Sequence, residues 1–176
     1  MNRESIYHTC AEVLGRHAQD VILKMSSLTS TLGSLTLETG GATRSYAEGV
    51  KVSFKGQAHG EALSGYFICA FHVFKTAQSL ASYIAVKLGL GPELAVKREG
   101  VENVLAELLN IIIGLTSSDW AKHGLEIVFD PPEKLGGHLI DPIPEGSAAY
   151  HLTLSLPEKR EIAIFLNFLF QSKEPS

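Results

Sequence analysis

The chain has 176 residues, of which 45% are hydrophobic and 19% are charged, and its formal net charge is −4. A chain of this length and composition can bury a core, so we expect a globular domain and not a disordered segment. No run of lysine or arginine is present, which argues against nucleic acid or an anionic membrane surface as a partner.

The first half of the sequence mixes helical and strand patterns. Apolar residues recur with helical spacing over 3–25, which predicts a first amphipathic helix. Residues 26–49 are rich in Ser, Thr and Gly and predict a loop with one short strand at most. Alternating residues predict strands over 50–55 and 62–71, joined by a turn that takes up the residues between them. A second helix is predicted over 74–88, where glycine and proline end it.

The second half begins with the strongest helical pattern of the chain. It follows Pro92 and continues to about His123, where a glycine ends it. The next residues, 125–129, predict a short strand that two prolines stop. After a Gly/Pro-rich connection, alternating residues over 152–156 and 162–168 predict a β-hairpin.

These elements predict the fold class. Strands that arrive in adjacent pairs, with helices between the pairs, indicate an α+β fold. We expect two or three helices packed on one face of a mostly antiparallel sheet. The chain, 1–176, is expected to form a single domain, in which 1–49 form a helix plus loop and 50–170 form the core.

The third predicted helix carries a narrow polar face on an otherwise apolar surface. At roughly 100° per residue, Asn103, Glu107, Asn110 and Gly114 fall within an arc of about 60°. An ionised glutamate is rarely buried without a partner, so this face should meet water, a partner or a cleft. A glycine inside a helix costs about 1 kcal/mol relative to alanine, and here it would let another surface come close. We call these four residues the polar seam.

Other chemistry is missing from the sequence. The seven histidines are scattered without an HExxH or Cys-x-x-Cys pattern, so no metal site of the chain's own is predicted. Neither a phosphate loop, a dinucleotide fingerprint nor a Gly-x-Ser-x-Gly elbow is present. The apolar stretch over 108–115 is too short to span a membrane. Two cysteines and no recognisable signal segment lead us to expect a cytoplasmic protein.

Residues 103–114, followed by 125–132, resemble the CheC/CheX/FliY family of bacterial phosphatases, which act on the phosphorylated chemotaxis response regulator CheY. The family motif has Asp or Ser, then Glu four residues later, Asn three after that, and Pro about twenty residues further along. Glu107 and Asn110 match, as does Pro131 or Pro132, whereas Asn103 stands where the family has Asp or Ser. The resemblance is closest to CheX, because 75–88 contain neither Glu nor Asn for a second copy of the motif.

The resemblance implies a function in two-component signalling and a role for each seam residue. Asn110 would orient the attacking water, as glutamine does in GTPases, and Glu107 would pair with a lysine of the phosphorylated CheY-type regulator. Asn103 and Gly114 would lie at the partner-binding surface. The phosphoryl group and Mg²⁺ would belong to the partner, so the chain would need no cofactor of its own. Relatives pair through sheet edges, and the apolar strand over 162–170 is a candidate edge for a homodimer.

Two alternatives stay open from the sequence. A module of the same fold could bind a response regulator or a flagellar-switch component without hydrolysis, since Asn103 departs from the motif and 1–49 are divergent. Alternatively, the polar seam could be the solvated stripe of an amphipathic helix in an unrelated α+β protein. A topology without helices packed against an antiparallel sheet would favour the second alternative.

Overall fold

Helices cover one face of an antiparallel sheet in this protein. The computed structural model describes residues 3–38, 44–137, 139–140 and 147–170, and within these ranges the chain has three α-helices. The helices are α1 (Arg3–Ser26), α2 (Phe74–Lys87) and α3 (Arg98–Lys122). Short 3₁₀ turns occur at Pro92–Ala95 and Pro157–Lys159. The strands are β1 (Thr31–Leu32), β2 (Thr36–Glu38), β3 (Arg44–Ser45), β4 (Glu48–Ala58), β5 (Glu61–Phe71), β6 (Leu125–Phe129), β7 (Glu133–Lys134), β8 (Leu139–Ile140), β9 (Ser147–Leu156) and β10 (Arg160–Phe170).

The sheet is antiparallel at every described pairing. Its order is β1-β9-β10-β5-β4-β6, with β2 also paired to β9 and β7 also paired to β4, while β3 and β8 form a separate pair. The predicted α+β class, with helices on one face of an antiparallel sheet, is therefore confirmed. Because helices do pack against an antiparallel sheet, the topology does not favour the alternative of an unrelated α+β protein.

The last strand was predicted as a candidate edge of the sheet, and this prediction was wrong. Strand β10 is not an edge, because it lies between β9 and β5 and pairs with both along most of its length. The physical reason is visible in its side chains, since over 162–168 those facing the helices and those facing away, such as Phe165 and Asn167, are all buried. A strand buried on both faces has a nearly continuous apolar sequence, which is typical of the centre of a sheet.

The loop predicted over 26–49 contains more strand than expected. Three short strands, β1, β2 and β3, lie within it, and β1 and β2 pair with the outer side of β9. Such short segments carry too few residues for an alternating pattern to be recognised. Residues 39–43 of this loop, 141–146 of the later Gly/Pro-rich connection, and His138 lie outside the described residues.

The hairpin of β4 and β5 turns more tightly than predicted. His59 and Gly60 alone form the turn, with φ of 51° and 82°. Two consecutive residues with positive φ are typical of the type I′ turn, whose twist matches that of the strands it joins. Both strands therefore extend through residues assigned to the turn from sequence.

The helices and the sheet enclose one large apolar core in the described part of the chain. Helix α1 contributes a full row of buried residues to it, and the indole N–H of Trp120 on α3 donates to the carbonyl of Cys10, 2.9 Å away. Burial raises the pKa of both Cys10 and Cys69 to about 12, so both thiols stay protonated and unreactive at neutral pH.

Among the described helices, α3 is long and apolar enough by length and composition to cross a membrane. The apolar stretch considered from sequence, 108–115, was shorter and contains the polar seam residue Asn110. The apolar side of α3 packs on α1, α2 and the sheet, and the core helix of a globular domain meets the same criterion.

Candidate functional site

The polar seam forms one exposed face of α3. Asn103, Glu107, Asn110 and Gly114 are all exposed to solvent. The opposite side of the helix is buried against the core through Val101, Leu105, Leu108, Leu109, Ile112 and Trp120. This buried row fixes the rotation of the helix, because any other rotation would expose it, although the apolar Ile111 and Leu115 are also exposed. The structure thus brings all four predicted residues together on one accessible surface.

Glu107 and Asn110 are available for an external partner. Neither side chain makes a hydrogen bond or an ion pair with any described residue. Residues three apart on a helix have Cβ atoms about 5–6 Å from each other, so one ligand can contact both. A Cβ atom added at Gly114 would meet nothing within 4 Å, which leaves this part of the seam open to a close approach.

Asn103, at the start of the seam, is held by a residue distant in sequence. The ammonium of Lys134 donates to Oδ1 of Asn103 over 2.7 Å. The same ammonium lies 3.9 Å from the carboxylate of Glu102. Lys134 was not predicted from sequence, because no local pattern links residues separated by 31 positions.

A β-bulge between β6 and β7 brings Lys134 to this position. Phe129 lies opposite Phe54, but Glu133 lies opposite Lys51, so one extra residue is accommodated where Pro131 and Pro132 stand. Bulges of this kind redirect the side chains that follow them. As a result Lys134 lies opposite Val50, whose side chain is buried on the helix side of the sheet. Pro131 and Pro132 thus lie in the bulge at an edge of the sheet, where a missing N–H costs no ladder hydrogen bond.

An apolar pocket opens beside the seam. It encloses about 570 Å³, including its open mouth. Its walls come from the ends of α1 and α2, the Pro92–Ala95 turn and α3: Met25, Ile84, Leu88, Leu90, Leu94, Gly100, Asn103, Val104 and Glu107. Leu88, Leu90 and Leu94 are each about half exposed. Apolar side chains grouped on a surface in this way are typical of an interaction site.

The first turn of α3 is anchored to the sheet below the seam. Arg98 forms an ion pair with Glu48 at 2.7 Å and also covers the ring of Phe74. Burial raises the pKa of Glu48, although the N–H of Gly49 and the guanidinium of Arg98 favour the carboxylate. The anchor fixes the direction in which α3 leaves the Pro92–Ala95 turn, and with it the orientation of the seam.

No protein-family model and no curated protein matches this sequence. Solved structures match it closely in fold. A CheC-like superfamily protein from Shewanella sp. PV-4 is 19% identical with a TM-score of 0.71, covering 96% of this chain and 99% of that chain. A chain of the CheX–CheY–BeF3–Mg²⁺ complex from Borrelia burgdorferi is 21% identical with a TM-score of 0.64, covering 90% and 96%. The FliM middle domain from H. pylori is 12% identical with a TM-score of 0.61, covering 94% and 92%.

The fold and the seam define a class of protein, an α+β domain with a glutamate and an asparagine on the exposed face of a core helix, neither of which has a partner in the described part of the chain. Within that class, the chain has the fold that CheX, CheC-like and FliM proteins share. The fold implied by the resemblance to the CheC/CheX/FliY family is therefore confirmed.

Proposed function

We propose that this protein is a CheX-like phosphatase, which hydrolyses the aspartyl phosphate of a CheY-type response regulator in the cytoplasm. The observation that carries the proposal is the pair Glu107 and Asn110, exposed side by side on α3 and without a partner among the described residues. The likeness of the fold to a chain of a CheX–CheY complex supports the choice of partner.

In this proposal Asn110 acts on the attacking water. Its carboxamide can accept one hydrogen bond from the water and donate another to the phosphoryl group, which aligns the water oxygen with phosphorus. The water oxygen forms a bond to phosphorus, and the bond between phosphorus and the partner's aspartate oxygen breaks. The aspartate leaves as a carboxylate and the proton of the water passes to the phosphate. Orientation supplies the gain in rate, and a displacement of about 1 Å can cost on the order of 10²-fold.

Glu107 gives the docking register. Its carboxylate would pair with the lysine of the regulator's phosphorylation site, forming a charge-assisted bond that strengthens when the interface excludes water. Because Asn110 lies on the same face of α3, pairing at Glu107 brings the carboxamide to the phosphoryl group. Mg²⁺ would be held by the regulator and would neutralise the charge of the phosphoryl oxygens.

The pocket beside the seam would be covered by the same regulator. Glu107 and Asn103 belong both to the seam and to the pocket wall, so a partner seated on one also covers the other. The half-exposed leucines of the pocket then offer apolar area to bury, which stabilises a complex that two polar contacts alone would hold weakly.

The test is phosphate release from a response regulator loaded with acetyl phosphate. We expect the wild type to accelerate release, Asn110→Ala to abolish the acceleration while keeping its affinity, and Glu107→Ala to weaken binding. Glu126→Ala is the matched control, because Glu126 is an exposed carboxylate on β6, outside the seam. Normal turnover by folded Asn110→Ala would overturn the proposal.

A second candidate is a binding module of the same fold, which grips a response regulator or a flagellar-switch component without hydrolysis. The likeness to the FliM middle domain favours it, as does Asn103 in place of the motif's Asp or Ser. Tight binding to the regulator without faster phosphate release would support this candidate. The homodimer also stays a proposal, for which the described sheet has edges at β1 and β2 on one side and β6 and β7 on the other.

A further inference from the structure

The side chain of Asn103 has a fixed orientation. An ammonium group can only donate hydrogen bonds, so the atom that faces Lys134 at 2.7 Å has to be the amide oxygen. The amide nitrogen, Nδ2, then points away and has no partner among the described residues. At this exposed position, the seam begins with a hydrogen-bond donor.

The orientation is supported by the sheet and not by α3 alone. Because of the bulge at Pro131 and Pro132, Lys134 lies opposite Val50 and reaches α3 from the helix side of the sheet. The carboxylate of Glu102, 3.9 Å from the same ammonium, balances its charge. Without the hydrogen bond from Lys134, the amide of Asn103 could turn about its terminal bond and present either its oxygen or its nitrogen to the partner.

We propose that Asn103 is a specificity residue of the docking surface, which donates a hydrogen bond to an acceptor oxygen on the response regulator. Lys134 acts through it as a positioning residue. The inference rests on the proposed function. Asn103 lies seven residues before Asn110, about 10 Å along the helix. The acceptor therefore lies beside the phosphorylation site and not within it, so this contact governs affinity and not the chemical step.

The experiment measures binding of a beryllofluoride-activated CheY-type regulator by calorimetry, together with phosphate release. Asn103→Asp keeps the shape and the contact to Lys134 but offers only acceptors. We expect Kd and KM to rise roughly tenfold or more, with kcat unchanged and thermal stability not reduced. Lys134→Met should raise Kd and KM by roughly 3- to 10-fold. Lys134→Arg can still donate to Oδ1, so both constants should stay at the wild-type values.

The outcomes separate this inference from the function on which it rests. If the wild type binds and hydrolyses while Asn103→Asp binds equally well, the donor role of Asn103 is wrong and the proposed function stands. If the wild type neither binds nor accelerates release, both are wrong. If Lys134→Arg weakens binding as much as Lys134→Met, or if kcat falls with KM unchanged, Lys134 does not act by orienting Asn103. Glu126→Gln, a change outside the seam, should leave every constant unaltered.

Discussion

The guanidinium of Arg98 lies 2.7 Å from the carboxylate of Glu48, and this ion pair joins the first residue of α3 to the first residue of β4. The pair is asymmetric, because Glu48 is fully buried whereas the Arg98 side chain is 47% exposed. Arg98 also donates to the carbonyl of Ala47. The stability of this anchor bears directly on the position of the polar seam.

Replacing Arg98 by methionine should destabilise the protein by about 1–3 kcal/mol. Removing one partner of a buried pair leaves an uncompensated charge, and the exposure of Arg98 reduces the usual cost. Urea unfolding followed by circular dichroism measures the change. In the double variant Glu48→Gln/Arg98→Met no buried charge remains, so part of the loss should be recovered. An Arg98→Met protein as stable as the wild type would contradict the anchor.

The raised pKa of Glu48 predicts a pH dependence. The folded state holds this proton to higher pH than the unfolded chain, in which glutamate has a pKa of about 4.3. The stability gained from the protonated form is complete below that pH and is lost as pH rises through the folded pKa. Arg98 and Glu102 are the charges that act on Glu48. The unfolding free energy of the wild type minus that of Glu48→Gln should therefore fall as pH rises from 4, in urea titrations at constant salt. A rising difference would show that the carboxylate is favoured by folding.

Gly124, which ends α3, should not tolerate alanine. Its φ is 80°, and an added Cβ would lie 2.5 Å from Cε1 of His59 in the β4–β5 turn. We expect Gly124→Ala to cost about 1–3 kcal/mol, as backbone strain and a steric clash combine. Thermal unfolding tests this, with His59→Gly as the background that removes the ring and suits the positive φ of residue 59. If the cost is the same in both backgrounds, the clash contributes nothing.

Leu90 tests the pocket beside the seam. It is 46% exposed, so Leu90→Asp should leave the fold intact. If the regulator covers the pocket, the substitution should raise Kd by roughly tenfold, because an apolar contact is replaced by a desolvated charge. Calorimetry with the activated regulator measures this, and kcat should not change. Val128→Asp, at a side chain 76% exposed on β6, is the matched control. Equal effects of both substitutions would exclude the pocket from the interface.

Features that depend on residues close together in the sequence were predicted well, whereas features that depend on distant residues were not. Helix α3 and its seam were predicted closely, because helical periodicity depends on residues three and four apart. Gly124 was recognised as the end of the helix for the same reason. The hairpin turn was predicted too broadly, since only the backbone reveals that His59 joins Gly60 at positive φ. The resemblance at Glu107 and Asn110 led to the right fold, although no protein-family model matches the sequence.

The sequence by itself determined that α3 exposes its polar seam, because the row of apolar side chains on the opposite side of the helix has to face the core. Only the tertiary structure decided what surrounds them. The order of strands places β10 at the centre of the sheet, and the register of β7 on β4 brings Lys134 to Asn103. Pairing between distant strands depends on closing long loops and on the fit of the whole core, which no local pattern encodes. The seam could thus be identified from the sequence, whereas the orientation of Asn103 as a hydrogen-bond donor could not.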